Sequence, residues 1–249
     1  DNMDLIDLFI GSEGTLGIII DADIRLIHKP AFTWGLTCFL PGNEEAVGFV
    51  KNCRQDSPTN VKQKFPLRPA AIEFFDSRAL ALLAEMKTSY PAFSSLQKIP
   101  ERSESAVYVE LHANNEESLN DSLPVISNII SECGGDEGTT WFATESNEME
   151  QLKFFRHAVP EAVNLLIDMK KKEGLDITKL GTDMAVQDNQ LNDVYWLYKK
   201  TLEENKLNYV MCGHIGNNHI HVNILPKSEE EYNRGKALYK VWAKEITTQ

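Results

Sequence analysis

Long hydrophobic runs are missing from this 249-residue chain. A membrane-spanning helix needs roughly 20 consecutive apolar residues, so we expect none here. Positive charge is also scarce, because 25 Lys and Arg residues stand against 37 Asp and Glu residues, which gives a net charge of −12. An acidic surface repels phosphate backbones, so we predict no nucleic-acid partner.

Cysteine is scarce and scattered. The four cysteines form no Cys-x-x-Cys pair, which argues against a thiolate zinc site and against a redox dithiol. Unpaired cysteines in a chain of this size suit a reducing compartment, and we predict a cytoplasmic location. The chain opens on Asp1 instead of Met and closes on Gln249 within an apolar helical stripe. We therefore expect it to be excised from a longer protein.

Two glycine signatures of nucleotide-binding folds are also absent. No Gly-Lys-Ser/Thr follows a glycine-rich turn, which excludes a P-loop, and no dinucleotide-binding fingerprint joins a strand to a helix. Strands and helices alternate, and several neighbouring strands resemble hairpins. This pattern predicts an α+β fold, with a ferredoxin-like antiparallel sheet and helices packed on one face. A doubly wound parallel sheet is the alternative.

Hydrophobic periodicity and turn residues locate the elements. A strand or bent strand pair is predicted over 16–28, and a polar, proline-containing loop over 54–68. Residues 105–112 alternate between apolar and polar side chains, which predicts a half-buried strand. The other predicted strands are 34–40, 70–75, 139–144, 183–186, 207–213 and 219–225. Helices are predicted from Asn43, over about 77–87, 115–133, 146–172 and 190–204, and after Ser228.

The first motif is a glycine-rich heptapeptide near the start of the chain. Glycine permits positive φ and lets a ligand approach the backbone closely, and exposed N–H groups in such a turn can cradle phosphate. A tight turn between strands is the alternative on spacing alone. The seven residues are Gly11, Ser12, Glu13, Gly14, Thr15, Leu16 and Gly17.

The second motif brings three of the six histidines into eight positions. In 219–224, His219, His221 and Asn223 alternate with three apolar residues, so a strand would project the polar row to one face. A hairpin would place His214 across from this segment, where two imidazoles can converge on one metal ion. Hydrogen-bonded structural histidines are the alternative to a metal or catalytic site.

The two motifs together resemble FAD-linked oxidases of the vanillyl-alcohol-oxidase type. More narrowly, the whole chain is similar to the C-terminal halves of D-lactate dehydrogenases, glycolate oxidase subunits and D-2-hydroxyglutarate dehydrogenases. In that family the second motif reads approximately Gly-His-x-Gly-Asp-Gly-Asn-Leu-His-x-Asn. The resemblance implies that residues 1–29 are the C-terminal remnant of an FAD-binding domain, with the glycine-rich turn touching flavin. It also implies that residues 30–249 form the substrate, or cap, domain.

The resemblance assigns roles residue by residue. His214 and His221 match the family's metal-ligating histidines, with zinc or manganese the expected divalent ion. Asn223 matches an active-site asparagine near substrate and flavin. Arg156 resembles the arginine that meets the substrate carboxylate, and guanidinium binds carboxylate bidentately. A surface ion pair between Arg156 and a nearby Glu is the alternative.

This sequence departs from the family pattern at several positions. His219 stands where the family usually has Asn, and could add a ligand or stack at the rim. Asn217 and Asn218 stand where it has Asp-Gly. Asp183 is expected to line the pocket and no more. Lys179 sits out of register with the lysine of D-2-hydroxyglutarate dehydrogenases, which favours a lactate- or glycolate-type substrate.

The implied activity is oxidation of a small D-2-hydroxy acid by hydride transfer to FAD, with metal-assisted substrate binding. The family's Glu-His-Gly motif, with a third metal ligand and a candidate base, is not in this sequence, so we expect the chain alone to be inactive. A non-catalytic dimerisation or interaction module stays open, and so does a metal-dependent hydrolase. The expected partner is the small 2-hydroxy-acid substrate, and a homodimer and peripheral association with a membrane stay open as further expectations.

Overall fold

The computed structural model describes residues 4–54 and 67–247, so most of the loop predicted over 54–68 lies outside the described residues. Its strands are β1 (Phe32–Leu40), β2 (Ala71–Asp76), β3 (Ser105–Ala113), β4 (Trp141–Ala143), β5 (Leu180–Gly181), β6 (Tyr209–Gly213) and β7 (His221–Ile224). They form one sheet in the order β4-β1-β3-β2-β6-β7-β5. Every neighbouring pair is antiparallel, which confirms the predicted α+β fold.

Except for a short helix over residues 5–9, which was not predicted, the helices follow the predicted positions, with one division. They are α1 (Leu5–Phe9), α2 (Asn43–Arg54), α3 (Ser77–Ser89), α4 (Glu116–Asn120), α5 (Leu123–Glu132), α6 (Ser146–Lys172), α7 (Leu191–Glu204) and α8 (Glu229–Thr247). The helix predicted over 115–133 is two helices, because Pro124 starts a new first turn, where its missing N–H costs nothing. Among the helices described, none is both long and apolar enough to cross a bilayer.

Helices cover both faces of the sheet, whereas the sequence pattern predicted helices on one face. One core cluster joins alternate strand residues such as Leu36 and Val109 to α2, α5, α7 and α8. The other joins Phe75 and Tyr108 to α3 and α6. The half-buried strand predicted over 105–112 differs for the same reason, because Tyr108 is fully buried on the face that was expected to meet solvent.

The segment before β1 has a different character from the sheet. None of residues 4–31 is buried, and Ile18 and Ile20 expose 90% and 95% of their surface. The strand predicted over 16–28 was wrong, because this segment finds no pairing partner among the described residues and a lone strand has no ladder of hydrogen bonds. The assignment of residues 1–29 to an FAD-binding domain stays a prediction.

Three elements of the sheet domain meet at the end of the β6–β7 hairpin. Strand β2 pairs with β6 through Phe74 and Gly213, which brings the β2 residue Glu73 beside the hairpin turn. Glu73 shares a sheet face with Phe75 because side chains alternate along a strand. Helix α6 packs on that face, so its side chains reach Glu73. The fold thus assembles one polar site from distant parts of the chain.

Asp76, at the end of β2, gives a test of this packing. Its buried carboxyl accepts a hydrogen bond from the Ala79 N–H at 2.8 Å and caps α3. Burial raises the pKa of Asp76 to about 7. Because the folded pKa lies above the unfolded value, its stabilising contribution is complete at low pH and is lost as pH rises from about 4 to about 7.

We expect Asp76→Asn, which keeps a capping oxygen, to remove this pH dependence. The free energy of unfolding of the wild type, relative to the variant, should fall by a few kcal/mol across that range. Urea denaturation at several pH values measures it, with Asp168→Asn, exposed on α6, as the surface-charge control. A difference curve that is flat or rises with pH contradicts this account.

Candidate active site

The β6–β7 hairpin turn carries the predicted histidines. Gly213 has φ of 136° and ends β6, and a short 3-10 turn over Ile215–Asn217 follows. Asn218 closes the turn in the left-handed region with φ of 55°. The His219 N–H then donates to the His214 carbonyl at 3.2 Å, which draws the two histidines together. The sequence prediction of a hairpin at this position is confirmed by the pairing of β6 with β7.

The three imidazoles converge. Ring centroids lie 5.3 Å apart for His214 and His221, 4.3 Å for His219 and His221, and 5.8 Å for His214 and His219. Two imidazoles that share one tetrahedral zinc ion, with bonds of about 2.0–2.1 Å, have centroids roughly 5 Å apart. The spacing of His214 and His221 therefore fits a shared metal ion.

Each of the two predicted metal ligands has its Nδ1 atom occupied. His214 Nδ1 lies 2.9 Å from both carboxylate oxygens of Glu73, and His221 Nδ1 lies 2.7 Å from the Thr182 carbonyl oxygen. A carbonyl oxygen and a carboxylate only accept hydrogen bonds, so Nδ1 donates in both cases. In the neutral imidazoles the lone pair is then on Nε2, and this is the arrangement typical of metal-binding histidines.

Glu73 also binds Arg156. The Arg156 guanidinium donates to Glu73 Oε1 at 2.6 Å, and the Glu73 side chain is only 6% exposed. Arg156 itself is 25% exposed and lies 5.7 Å from the centre of the Tyr108 ring. The ion pair that the sequence left as an alternative for Arg156 does form. Its partner is a buried carboxylate that also holds His214, and Arg156 keeps further N–H donors for a second anion.

A second polar network continues along β3 from Tyr108. The Tyr108 hydroxyl donates to Glu110 at 2.5 Å, and His112 Nε2 lies 2.6 Å from the same carboxylate. Partial burial acts to raise the pKa of Glu110, but the hydrogen bonds from Tyr108 and His112 outweigh it and lower that pKa. Glu110 is therefore held as a carboxylate between Tyr108 and His112.

His219 and Asp183 form a pair at the rim of the hairpin. His219 Nε2 lies 3.0 Å from the Asp183 carboxylate, and His221 Nδ1 lies 4.0 Å from it. Burial lowers the pKa of His219, and the neighbouring His221 adds to that effect. The three side chains offer ligand atoms that all lie within 4.8 Å of one another. No role beyond lining the pocket was predicted for Asp183, and no local signal in the sequence pointed to this contact.

Two cavities are lined by the polar side chains described above. The larger, of about 880 Å³, is lined by Glu73, Arg156 and His214, and by Arg54, which bonds to Asn218 at 2.6 Å. The smaller, of about 420 Å³, is lined by Asp183, His221, Asn223 and Lys179 among others. The sequence comparison had set Lys179 aside because it is out of register with the family lysine, but Lys179 lines this cavity. The extended chain after α6 makes this possible, and sequence spacing carried no signal for it.

The predicted flavin-contacting residues are not part of these cavities. Gly11 and Gly14 have φ of 76° and 78°, and a Cβ atom at either would meet nothing within 4 Å. The turn is held by the Thr15 N–H, which donates to the Ser12 carbonyl at 2.9 Å. The turn is therefore open at Gly11 and Gly14, and the contact of residues 11–17 with flavin stays a prediction.

A family model covers most of the chain, including the candidate active site. Residues 53–248 match the model of the family described as FAD linked oxidases, C-terminal domain. That range includes Glu73, Arg156 and the histidine hairpin. The chain belongs to this family, and the predicted resemblance is confirmed.

Curated relatives cover the chain almost completely. A protein from Danio rerio named "Probable D-lactate dehydrogenase, mitochondrial" is 26% identical over 234 residues, which is 92% of this chain and 41% of the relative. A "D-2-hydroxyglutarate dehydrogenase" from Stutzerimonas stutzeri (strain A1501) is 24% identical over 229 residues, or 89% of this chain and 42% of the relative. The chain thus spans about two fifths of the length of these relatives.

Solved structures share the fold at low sequence identity. An alkyldihydroxyacetonephosphate synthase superposes with a TM-score of 0.62 at 12% identity, covering 98% of this chain and 45% of that one. A p-cresol methylhydroxylase with substrate bound gives 0.57 at 12% identity, covering 88% and 44%. At this identity the likeness establishes the fold alone.

Gly213 provides a test of how the hairpin is held. A Cβ atom there would lie 2.7 Å from His221 Cδ2 and 3.0 Å from the His221 backbone nitrogen, at a positive φ that other residues rarely adopt. We expect Gly213→Ala to lower the free energy of unfolding by more than about 1 kcal/mol.

Gly48→Ala is the matched control. Gly48 lies inside α2, and its Cβ would make only one ordinary contact, 4.0 Å from Cys133 Sγ. Removing a glycine from a helix interior should raise stability by about 0.5–1 kcal/mol. Thermal and urea unfolding of both variants measures whether the free energy of unfolding falls in Gly213→Ala and rises in Gly48→Ala. Equal effects in the two variants would refute the close packing of Gly213 against His221.

Proposed function

We propose that this chain is the substrate-binding part of an FAD-dependent dehydrogenase that oxidises a small D-2-hydroxy acid. Family membership and two dehydrogenase relatives support the class of reaction. The observation that carries the proposal is that the buried Glu73 carboxylate binds both Arg156 and His214, and that the His221 ring lies 5.3 Å from the His214 ring. Glu73 thus links a histidine that can bind a metal ion to an arginine that can bind a substrate carboxylate. A 2-hydroxy acid presents both a hydroxyl and a carboxylate.

Arg156 would bind the substrate carboxylate. One of its N–H groups is committed to Glu73, and the guanidinium borders the 880 Å³ cavity. The pairing with Glu73 fixes the guanidinium in place before substrate arrives, which reduces the entropy lost on binding. Asn223, in the smaller cavity, would add an amide that can hydrogen-bond the substrate.

His214 and His221 would hold a divalent metal ion, with zinc or manganese as the candidates. Their centroid spacing of 5.3 Å and their engaged Nδ1 atoms fit such a donor set. The chemistry supplied by the ion, when bound, is that of a Lewis acid, which lowers the pKa of a substrate hydroxyl. Glu73 and the Thr182 carbonyl would keep the two rings oriented.

FAD is the cofactor implied by the family. The turn over Gly11 to Gly17 fits close approach of a ligand at Gly11 and Gly14, where the backbone is uncovered. The chemistry that flavin supplies, when bound, is acceptance of the hydride from the substrate α-carbon. The residues of this chain would orient that carbon and exclude competing poses.

Two substrate classes deserve direct comparison. Lactate or glycolate is the first candidate, since the family arginine is matched and the family lysine is not. A dicarboxylic hydroxy acid such as 2-hydroxyglutarate is the second, because Lys179 lines the cavity shared by His221 and Asn223. A homodimer, peripheral membrane association and a cytoplasmic location stay predictions.

We expect the FAD-containing protein to bleach its flavin absorbance with D-lactate, glycolate or D-2-hydroxyglutarate, but not with the L-enantiomers of the chiral acids. Arg156→Lys keeps a cation beside Glu73 but removes the planar fork. Hydrogen bonds to charged groups contribute about 1.5–3 kcal/mol, so kcat/KM should fall roughly 10–100-fold.

Arg234→Lys is the matched control for this experiment. Arg234 pairs with Glu230 at 2.6 Å on the surface of α8, one helical turn apart. A surface pair of this kind contributes little, so kcat/KM should stay at the wild-type value. Failure of every D-2-hydroxy acid to reduce the flavin would overturn the proposed activity. Equal effects of the two substitutions would remove Arg156 from the site.

A further inference from the structure

Asp183, His219 and His221 make a three-residue cluster that the proposed function does not use as a unit. Their ligand atoms lie within 4.8 Å of one another. The Asp183 carboxylate is 3.0 Å from His219 Nε2, and the two imidazole centroids are 4.3 Å apart. Asp183 is 78% exposed at its side chain, so its second carboxylate oxygen remains accessible.

Thr182 fixes this cluster through the backbone. Its N–H donates to the Val222 carbonyl at 3.0 Å, and its hydroxyl accepts from the Val222 N–H at 2.8 Å. Its carbonyl receives the His221 Nδ1–H at 2.7 Å. Thr182 is 3% exposed, so these bonds are shielded from water. The neighbouring Asp183 is thereby held against β7, which begins at His221.

A second contact fixes His219 itself. Ala185 forms an antiparallel bridge with His219, and four residues away on each segment Gly181 of β5 pairs with Asn223 of β7. The two ligand-bearing segments are therefore joined on both sides of the cluster. A site whose ligands are positioned by the backbone loses less entropy on binding an ion than one built on free side chains.

We propose that Asp183, His219 and His221 together bind one divalent transition-metal ion, so that this chain supplies three ligands from two adjacent segments. This inference rests on the proposed function, which already assigns His221 as a metal ligand. It adds Asp183 and His219 to the ligands of that ion. Two imidazoles and one carboxylate suit zinc, manganese or iron. Such a set leaves coordination positions for oxygen atoms of a substrate.

The position of His219 carries the specificity of this inference. The family that the hairpin resembles usually has Asn there, and an amide is a weaker ligand for these ions than an imidazole. His214, with centroid distances of 5.3 and 5.8 Å to the other two rings, lies close enough to act as a further ligand. The ligand count in this chain then reaches three or four.

Metal titration of the 249-residue chain tests the proposal. The chelator-treated protein is titrated with Zn²⁺ by calorimetry and with Co²⁺ by visible absorption, for the wild type, His219→Asn, Asp183→Asn, His214→Asn and His28→Asn. Both His219→Asn and Asp183→Asn are close in shape to the original residues, and circular dichroism checks that they fold. His28 is exposed and outside the cluster, so its variant is the control.

We expect one Zn²⁺ per wild-type chain and unchanged binding in His28→Asn. Loss of a group that only orients a ligand costs about 10–100-fold in affinity, so losing a true ligand should cost more than about 100-fold. His219→Asn and Asp183→Asn should each show this loss. No Zn²⁺ binding by the wild type overturns the proposal, and so does wild-type affinity in both variants.

The outcomes separate this inference from the proposed function. Affinity lost only in His214→Asn would keep a metal site there and reject Asp183 and His219 as ligands. The protein could also lose Zn²⁺ affinity in Asp183→Asn and His219→Asn while the wild type oxidises no hydroxy acid. That result would support the three-ligand metal site and reject the proposed dehydrogenase activity. If a variant does not fold, modification of wild-type histidines by diethylpyrocarbonate decides. Protection of His219 and His221 by Zn²⁺ supports the proposal, and unchanged modification overturns it.

Discussion

The buried carboxylate of Glu73 is the constraint on which the rest of the site depends. It lies on β2, it is 6% exposed, and it accepts hydrogen bonds from both Arg156 and His214. Removing one partner of a buried ion pair leaves an uncompensated charge and costs about 3–5 kcal/mol. The sheet therefore has to bring α6 and the β6–β7 hairpin to the same point. Helices on both faces of the sheet accomplish this, because the face that carries Glu73 is enclosed by α6 while the other face forms a separate core.

Local sequence patterns predicted much of this arrangement. Helix α6 covers the predicted residues 146–172, since its apolar stripe and its acidic first turn both mark a helix. The alternation in 219–224 placed Ile220, Val222 and Ile224 in the core, and all three are at most 2% exposed. Glycine and asparagine marked the hairpin turn, where Gly213 and Asn218 do adopt positive φ. These features depend on neighbours in sequence, so a single sequence contains their signal.

Features that depend on distant residues were not predictable in this way. Glu73 is one acidic residue in an apolar strand, and its partners lie 83 and 141 positions further along the chain. Its buried position looks unfavourable until those partners are known. The apolar residues of 16–28 look like a strand, but strand formation depends on a partner, and none is present among the described residues. Asp183 and Lys179 reach the site through an extended segment whose path is set by Thr182 and not by any periodic pattern.

Metal binding at this site depends on where the protons lie, because His214 and His221 are held with hydrogen on Nδ1 and a free lone pair on Nε2. Long-range ¹H–¹⁵N correlation NMR of the ¹⁵N-labelled chain, at a pH where the histidines are neutral, tests this most directly. Spectra of His214→Asn and His221→Asn assign the two rings. Chemical shifts of the Nδ1–H tautomer in both histidines are the predicted result. The Nε2–H tautomer in either ring would contradict the account, since Nδ1 would then have no hydrogen to donate to its oxygen partner and Nε2 would have no lone pair for a metal ion.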